Sequence, residues 1–309
     1  TARMTLGYLS LPRPIYLAGQ QANGRVWTEN GGDLYLNIGE SRAAFRYEPA
    51  YAAEALAEID EGYFIEQLDG DENGGTIKIT GFGRTRLYVN ATSITGFAGT
   101  GSDFIIMGDS VEIPVEIHGG AGDDVIVYGG AGFAELFGDA GDDYLDIGST
   151  GAALVRVVGG DGADFIRHRG TAPARLEGGA GQDRIIGGPG NDQIFGGGGD
   201  DEIDSGGGAD IIYGGDAKDL VKVGINSMGT SVFGDGDYDY VLFTAGIGAD
   251  QITTTASGSA LILAVAGRGS ITLTTTEDVT IDAGSGADTV TINDASATVV
   301  ARFAVNMGK

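Results

Sequence analysis

Residues 177–222 read EGGAGQDRIIGGPGNDQIFGGGGDDEIDSGGGADIIYGGDAKDLVK. Glycines, an acid and an aliphatic residue return every nine positions. Contiguous copies begin at Gly187, Gly196, Ser205 and Gly214, with Asp192, Asp201, Asp210 and Asp219 sixth and Ile194, Ile203, Ile212 and Val221 eighth. Glycine has the most conformational entropy to lose on folding, so a stretch this rich in it and this regular needs a reason to be ordered.

Followed outward, the nonapeptide starts again at 98, 119, 138, 159, 178, 234, 245 and 283. Those copies place Asp103, Asp124, Asp143, Asp164, Asp183, Asp239, Asp250 and Asp288 at position six. Position eight is Ile, Leu or Val throughout, and position four is glycine except at Ala217 and Asp237. From 98, 119, 138, 159, 178, 196, 214 and 234 the steps are 21, 19, 21, 19, 18, 18 and 20. Steps near two repeats describe a coil with two turns and two short strands, so the fold expected is all-β, a parallel β-roll or β-solenoid of about 18–21 residues per coil. These copies fall on one side of the coil and make a long aspartate ladder. The copies at 187 and 205 fall on the other side and make a short one. Elsewhere on that side the acid is missing, as in GGAGFAELF from Gly129, with Ala134 at position six, and in RGTAPARLE and NSMGTSVF.

Three regions follow. Residues 1–90 are β-rich without a good copy, with alternating Leu34, Leu36 and Ile38 and then Ile77 and Ile79, and are expected to cap the roll. PAYAAEALAEIDEG reads as a short helix. Residues 91–243 are the roll, and 244–309 are a Thr-rich continuation as further coils with few acids. Both ends read as cut from a longer protein.

The formal charge is −26, from 44 acids and 18 bases. That excludes nucleic acid and anionic membrane as partners and repels itself unless cations are bound. With no cysteine, thiolate–zinc sites, redox motifs and disulfides are absent. No apolar run is long enough to span a bilayer, and TARMTLGYLS has no secretory h-region. Catalytic motifs such as H-E-x-x-H, G-x-S-x-G and the P-loop are missing, and a carboxylate row repeated many times reads as structure, so no enzyme is expected.

Glycines at positions one, two and four let the backbone adopt positive φ, so that carbonyls converge, and the aspartate adds a carboxylate. An all-oxygen set of flexible geometry suits calcium. Asp123, Asp142 and Asp200 at position five read as solvated acids, and His118 and His168, which lack a paired ligand, as surface residues. Thr253–Thr255, Thr272, Thr274–Thr276, Thr289 and Thr291 suggest a flat threonine face, although threonine also simply favours strands.

The nonapeptide resembles the RTX, or hemolysin-type, calcium-binding repeat G-G-x-G-x-D-x-U-x, with U a large aliphatic residue. GGAGDDVIV from Gly119, GGDGADFIR from Gly159 and GGPGNDQIF from Gly187 match it in full. The likeness covers 98–242 well and 243–291 weakly. It implies that six residues form an ion-binding turn and three a strand, with one calcium between successive turns on each side. Adjacent members of Asp103, Asp124, Asp143, Asp164, Asp183, Asp201, Asp219 and Asp239 would then share ions, and Asp192 and Asp210 one more. Carbonyls would come from turns holding Gly120, Gly122, Gly160, Gly162, Gly179, Gly181, Gly188, Gly190, Gly197 and Gly199. The best sites would lie in 178–215, where each coil is two unbroken repeats, and Ala217 and Asp237 weaken the last two. At tenfold excess over Kd, each site stabilises the fold by roughly 1.4 kcal/mol.

The resemblance implies a bacterial protein exported unfolded through a type I channel and folded by calcium outside. Its expected task is a structural or adhesive segment at the cell surface, with flanking domains and possible surface glycan as partners. Alternatives are an accessory folding module of an extracellular enzyme or toxin, and a glycan- or ice-binding solenoid using the threonine face.

Overall fold

A computed structural model describes residues 4–6, 25–37, 62–81, 84–149, 151, 153–293, 298 and 300–308. The expected helix at 49–62 lies essentially outside them, as does Ile38. Among the described residues every regular element is a strand. The chain divides into two compact units, Thr1–Gly159 and Gly160–Lys309, and each is a parallel β-solenoid.

In the first unit, two parallel ladders face each other. One joins Gly62–Asp71, Phe104–Met107, Val125–Tyr128 and Tyr144–Ile147, with Tyr63, Ile105, Ile126 and Leu145 in register. The other joins Arg25–Asn37, Arg84–Thr100, Val115–Ala121 and Ala134–Ala140, with Leu34, Ile94, Val115 and Ala134 in register. The offsets between paired residues in the regular coils match the steps between copies of the repeat. Gly74–Gly81 pairs antiparallel with Gly62–Asp71 and Arg84–Thr100, which inserts a meander before the regular coils. Strand Arg84–Thr100 runs through residue 90, where the sequence suggested a change of region.

In the second unit, Phe165–His168, Arg184–Ile186, Glu202–Asp204, Leu220–Gly224, Tyr240–Thr244, Asp278–Asp282 and Arg302–Asn306 form one ladder. Ala174–Ala180, Gln193–Gly198, Ile211–Asp216, Ser231–Asp235 and Gly269–Thr274 form the other. Position eight does what its constancy demanded: Ile166, Ile185, Ile203, Val221 and Val241 stack on one wall, Ile194 and Ile212 on the other, all fully buried. Fully burying such a side chain contributes about 1.5–3 kcal/mol, and the coil repeats it twice.

The Thr-rich region departs from expectation. Instead of simple further coils, Gln251–Ser257, Ala260–Val265 and Gly269–Thr274 make an antiparallel meander. Ser257 pairs with Ala260 across a two-residue Gly258–Ser259 turn with φ +64° at the glycine, the connection that a twisted hairpin favours. The parallel register then resumes beyond the meander, with Tyr240 opposite Asp278. Nor do the threonines share one face. Thr254 and Thr276 are buried, Thr253 pairs with Thr291, and Thr272 and Thr274 lie beside Ser231 and Phe233.

Candidate metal centre

Each long-ladder turn leaves a strand of one wall and enters a strand of the other, so its sixth residue sits just ahead of the strand that buries position eight. The aspartates therefore stack at the spacing of parallel strands, about 5 Å. In the first unit, Asp124 Oδ1 accepts the backbone N–H of Asp103 at 2.7 Å, and Asp143 Oδ1 that of Asp124 at 2.7 Å. In the second, Asp183, Asp201, Asp219 and Asp239 accept from Asp164, Asp183, Asp201 and Asp219 at 2.8–3.0 Å. Glu277 Oε2 ends this row on the N–H of Asp239 at 2.9 Å, a role its sequence context did not signal.

One oxygen of each carboxylate is thus spent on backbone. The other, Oδ2 of Asp124, Asp183, Asp201, Asp219 and Asp239, is buried without a hydrogen-bond partner. It lies in a niche that only glycine at position one leaves open. A Cβ on Gly119 would overlap Asp124 Oδ2 and come 2.7 Å from the carbonyl oxygen of Gly138 in the next coil. The same pair of oxygens, own carboxylate and next carbonyl, meets at Gly138, Gly178, Gly196, Gly214 and Gly234. Position one is therefore glycine for space; among these six none takes a positive φ. Positions two and four are glycine for conformation, with φ of +114° and +121° at Gly120 and Gly122 and +120° and +124° at Gly197 and Gly199. Gly160, Gly162, Gly179 and Gly181 follow suit. A Cβ at Gly122 would overlap the carbonyl oxygen of Gly101 in the coil before, and one at Gly199 that of Gly181. Ala217 keeps the left-handed turn at φ +80°, whereas Asp237 does not, so the turn before Asp239 is the altered one.

Burial pushes the carboxyls of Asp124, Asp183 and Asp219 up to about 6 and those of Asp201 and Asp239 to about 7. The N–H that each accepts pulls the other way, and neighbouring carboxylates add to the rise at Asp201 and Asp239. A buried, half-satisfied acid is costly, and two partners relieve it: a proton or a cation.

The short ladder is built differently. Asp192 Oδ1 accepts from Ala174 N at 2.8 Å and its Oδ2 from Gly188 N at 2.9 Å. Asp210 Oδ1 accepts from Asp192 N, and its Oδ2 from the Thr230 hydroxyl at 3.3 Å. Both oxygens of both acids are therefore held by protein donors. Gly188 and Gly190 also stay outside the left-handed region, unlike the other eight glycines proposed as turn donors. His168 corrects a surface expectation. It is buried, with Nδ1 3.6 Å from Asp192 Oδ2, because it occupies the inward position that glycine and serine take in the next two coils, Gly187 and Ser205. His118 does face outward, stacked between Phe97 and Phe137 with Asp139 at 3.1 Å. The exposed position-five acids have a use as well: Asp123 and Asp200 accept N–H groups of Asp142 and Lys218 one coil on.

Among the described residues no three acidic or histidine side chains converge. The donor set of a long-ladder site is carboxylate plus backbone carbonyl, all oxygen, in a turn without side-chain bulk. That fits calcium, which takes several hard oxygen ligands with loose geometry, and not a nitrogen- or sulfur-seeking metal.

The family model of the RTX calcium-binding nonapeptide repeat matches four segments, residues 116–132, 126–149, 175–203 and 195–224. A comparison with curated proteins finds no match. The turns within these four segments match the RTX calcium-binding nonapeptide repeat, and Ca2+ is the ion expected of such repeats.

Proposed function

We propose that this chain is a secreted, calcium-folded β-solenoid serving as a structural or adhesive segment of a larger bacterial extracellular protein, rather than as a catalyst. The observation behind it is the row of buried, unpartnered Oδ2 atoms, each facing a carbonyl in a glycine-only niche. Stacked carboxylates about 5 Å apart repel by roughly 3 kcal/mol at an effective dielectric near 20. Bound calcium supplies the positive charge that reverses this term. The chain supplies the rest: glycine turns that admit the ion, N–H groups that fix Oδ1, and aliphatics that close the wall behind. In a low-calcium compartment the acids oppose stacking, which suits a chain exported before it folds. Among the described residues no helix is long and apolar enough to cross a membrane.

Calcium added to EDTA-treated protein, followed by far-UV circular dichroism with magnesium as control, tests this reading. A cooperative gain of β-structure near millimolar calcium, absent with magnesium, is expected. A signal already complete in EDTA and unmoved by calcium would overturn it.

A further inference from the structure

The threonines that face outward belong to a larger surface, on the wall of the second unit that runs from Gln193–Gly198 to Thr289–Ile292. Seven strands follow one another there, and alternate side chains such as Ile194, Ile212, Val232 and Leu273 are buried in the core. The others point out. Gln193, Ile211, Ser231 and Thr272 form one outward column, and Phe195, Tyr213, Phe233 and Thr274 the next. Across the meander the face continues with Ile262 beside Thr255 and Ala264 beside Thr253, and ends on Thr289 and Thr291. None of these outward strand positions is charged; Asp216, Asp235 and Arg268 stand where strands run into turns. That is unexpected on a chain of net charge −26 in which 20% of residues are charged. The opposite wall shows the contrast. There Arg184 and Lys222 meet Glu202 at 3.5 and 2.6 Å, and Arg302 meets Asp278 at 3.5 Å.

The uncharged face has two halves. On one, the rings of Phe195, Tyr213 and Phe233 stack with centroids 5.1 and 4.9 Å apart, within 13° of parallel. Their edges and Ile211, 40% exposed, make an apolar ridge. Arg175 closes the end of that stack, 4.1 Å over Phe195, with its charge paired to Glu177 at 2.7 Å. On the other half, threonine hydroxyls and the exposed Gln251 amide supply donors and acceptors. The core needs only the inward side chains, so the outward pattern serves something outside it. We propose that this face binds an uncharged polysaccharide laid across the strands, which gives the adhesive reading a partner and rests on it. Charge selects that occupant. A polyanion would meet a chain of −26, a polycation would find no carboxylate among these strand positions, and a second copy would bring its own −26 into contact. A neutral glycan desolvates no charge; its C–H faces suit the ridge and its hydroxyls the threonines. Six strand spacings give about 29 Å, the reach of an oligosaccharide rather than of a single sugar.

The test uses the full chain in calcium. Affinity electrophoresis is run in gels holding mixed-linkage β-glucan, galactomannan or, as a polyanion, alginate, with pull-down on cellulose and chitin. Wild type should be held by at least one neutral glycan and not by alginate. Tyr213→Ala should weaken that binding by roughly tenfold. Thr253→Lys/Thr272→Lys, which puts charge on the threonine half, should weaken it as well. Thr280→Lys, an outward change beside Leu242 on the opposite wall, should not. Circular dichroism in calcium shows whether each variant is folded, and the lysine pair, at solvent-facing positions, carries the comparison if Tyr213→Ala is not. No retention on any neutral glycan, retention on alginate alone, or equal retention by all folded variants overturns the proposal. Self-association in sedimentation that the lysine pair abolishes, with no glycan held, assigns the face to a second copy instead. A wild type whose β-structure does not respond to calcium overturns the calcium reading, while its retention still decides this one.

Discussion

Within the second unit, two rows of aspartate occupy the same repeat position and use Oδ1 in the same way, yet differ in their second oxygen. At Asp183, Asp201, Asp219 and Asp239 it is buried and open, whereas at Asp192 and Asp210 a backbone N–H or a hydroxyl takes it. The difference arises in the turn backbone and in the neighbouring coils, not at the acid. Gly178, Gly196 and Gly214 leave room for a carboxylate oxygen beside a carbonyl from the next coil. On the short side, Gly188 turns its N–H onto Asp192 with His168 packed alongside, and Thr230 stands where the next aspartate would be. The motif therefore specifies stacking at every copy. Whether a turn keeps an oxygen for a metal depends on its neighbours.

The largest expected effect is at position one. In Gly196→Ala the new methyl would overlap both Asp201 Oδ2 and the carbonyl oxygen of Gly214, and backbone cannot swing aside as a side chain can. A loss of about 3 kcal/mol is expected, with weaker calcium binding, measured by chemical denaturation with and without calcium. The counterpart Ser205→Ala already has a Cβ and forfeits only the 2.8 Å Ser205–Ser227 hydrogen bond. About 1 kcal/mol is expected there, with calcium binding unchanged. Equal losses in the two would erase the distinction between the ladders.

Asparagine at position six comes next, because it spares the Oδ1 hydrogen bond and removes the charge. Asp201→Asn should weaken calcium binding by roughly tenfold at the affected turns, seen by isothermal titration calorimetry. Asp192→Asn should move it little, since both its oxygens are already occupied. If Asp192→Asn costs as much as Asp201→Asn, the bound state rearranges the short side into the long-side pattern.

Much of this could be read from the residues. The nine-residue beat, an aliphatic at every eighth position and steps near two repeats are direct consequences of a two-wall coil, and the observed registers repeat them. Even the space for the acid is legible afterwards, in the second residue after each buried aliphatic. Up to Gly234 it is small where the acid follows, as at Gly119 and Gly196, and large where it does not, as at Tyr128 and Val223. The saturation of Asp192 and Asp210 was hidden because it depends on donors that only stacking and the local turn bring near, Gly188 and Thr230. The meander at 251–274 was hidden for a different reason. Its strands alternate like those of a coil, and only the tight turns at Gly258 and Gly267 mark the reversal.

The smallest effect is that of pH, and its two signs oppose. Asp201 and Asp239 rise to about 7 in the folded chain, chiefly through burial, from an ordinary value of 3.8. Between those values the metal-free fold holds protons that the unfolded chain releases, so its stability increases as pH falls from about 7 towards 4 and is lowest above 7. Calcium competes with the same protons. For a ligand titrating near 7, lowering pH from 8 to 7 should weaken binding by roughly twofold. Thermal melts in EDTA and calcium titrations at both pH values separate the two: the first should gain as the second loses. Asp201→Asn removes one of these raised carboxyls and should flatten both slopes. Slopes that move together would mean that the open oxygens of the long ladder are not the atoms for which proton and calcium compete.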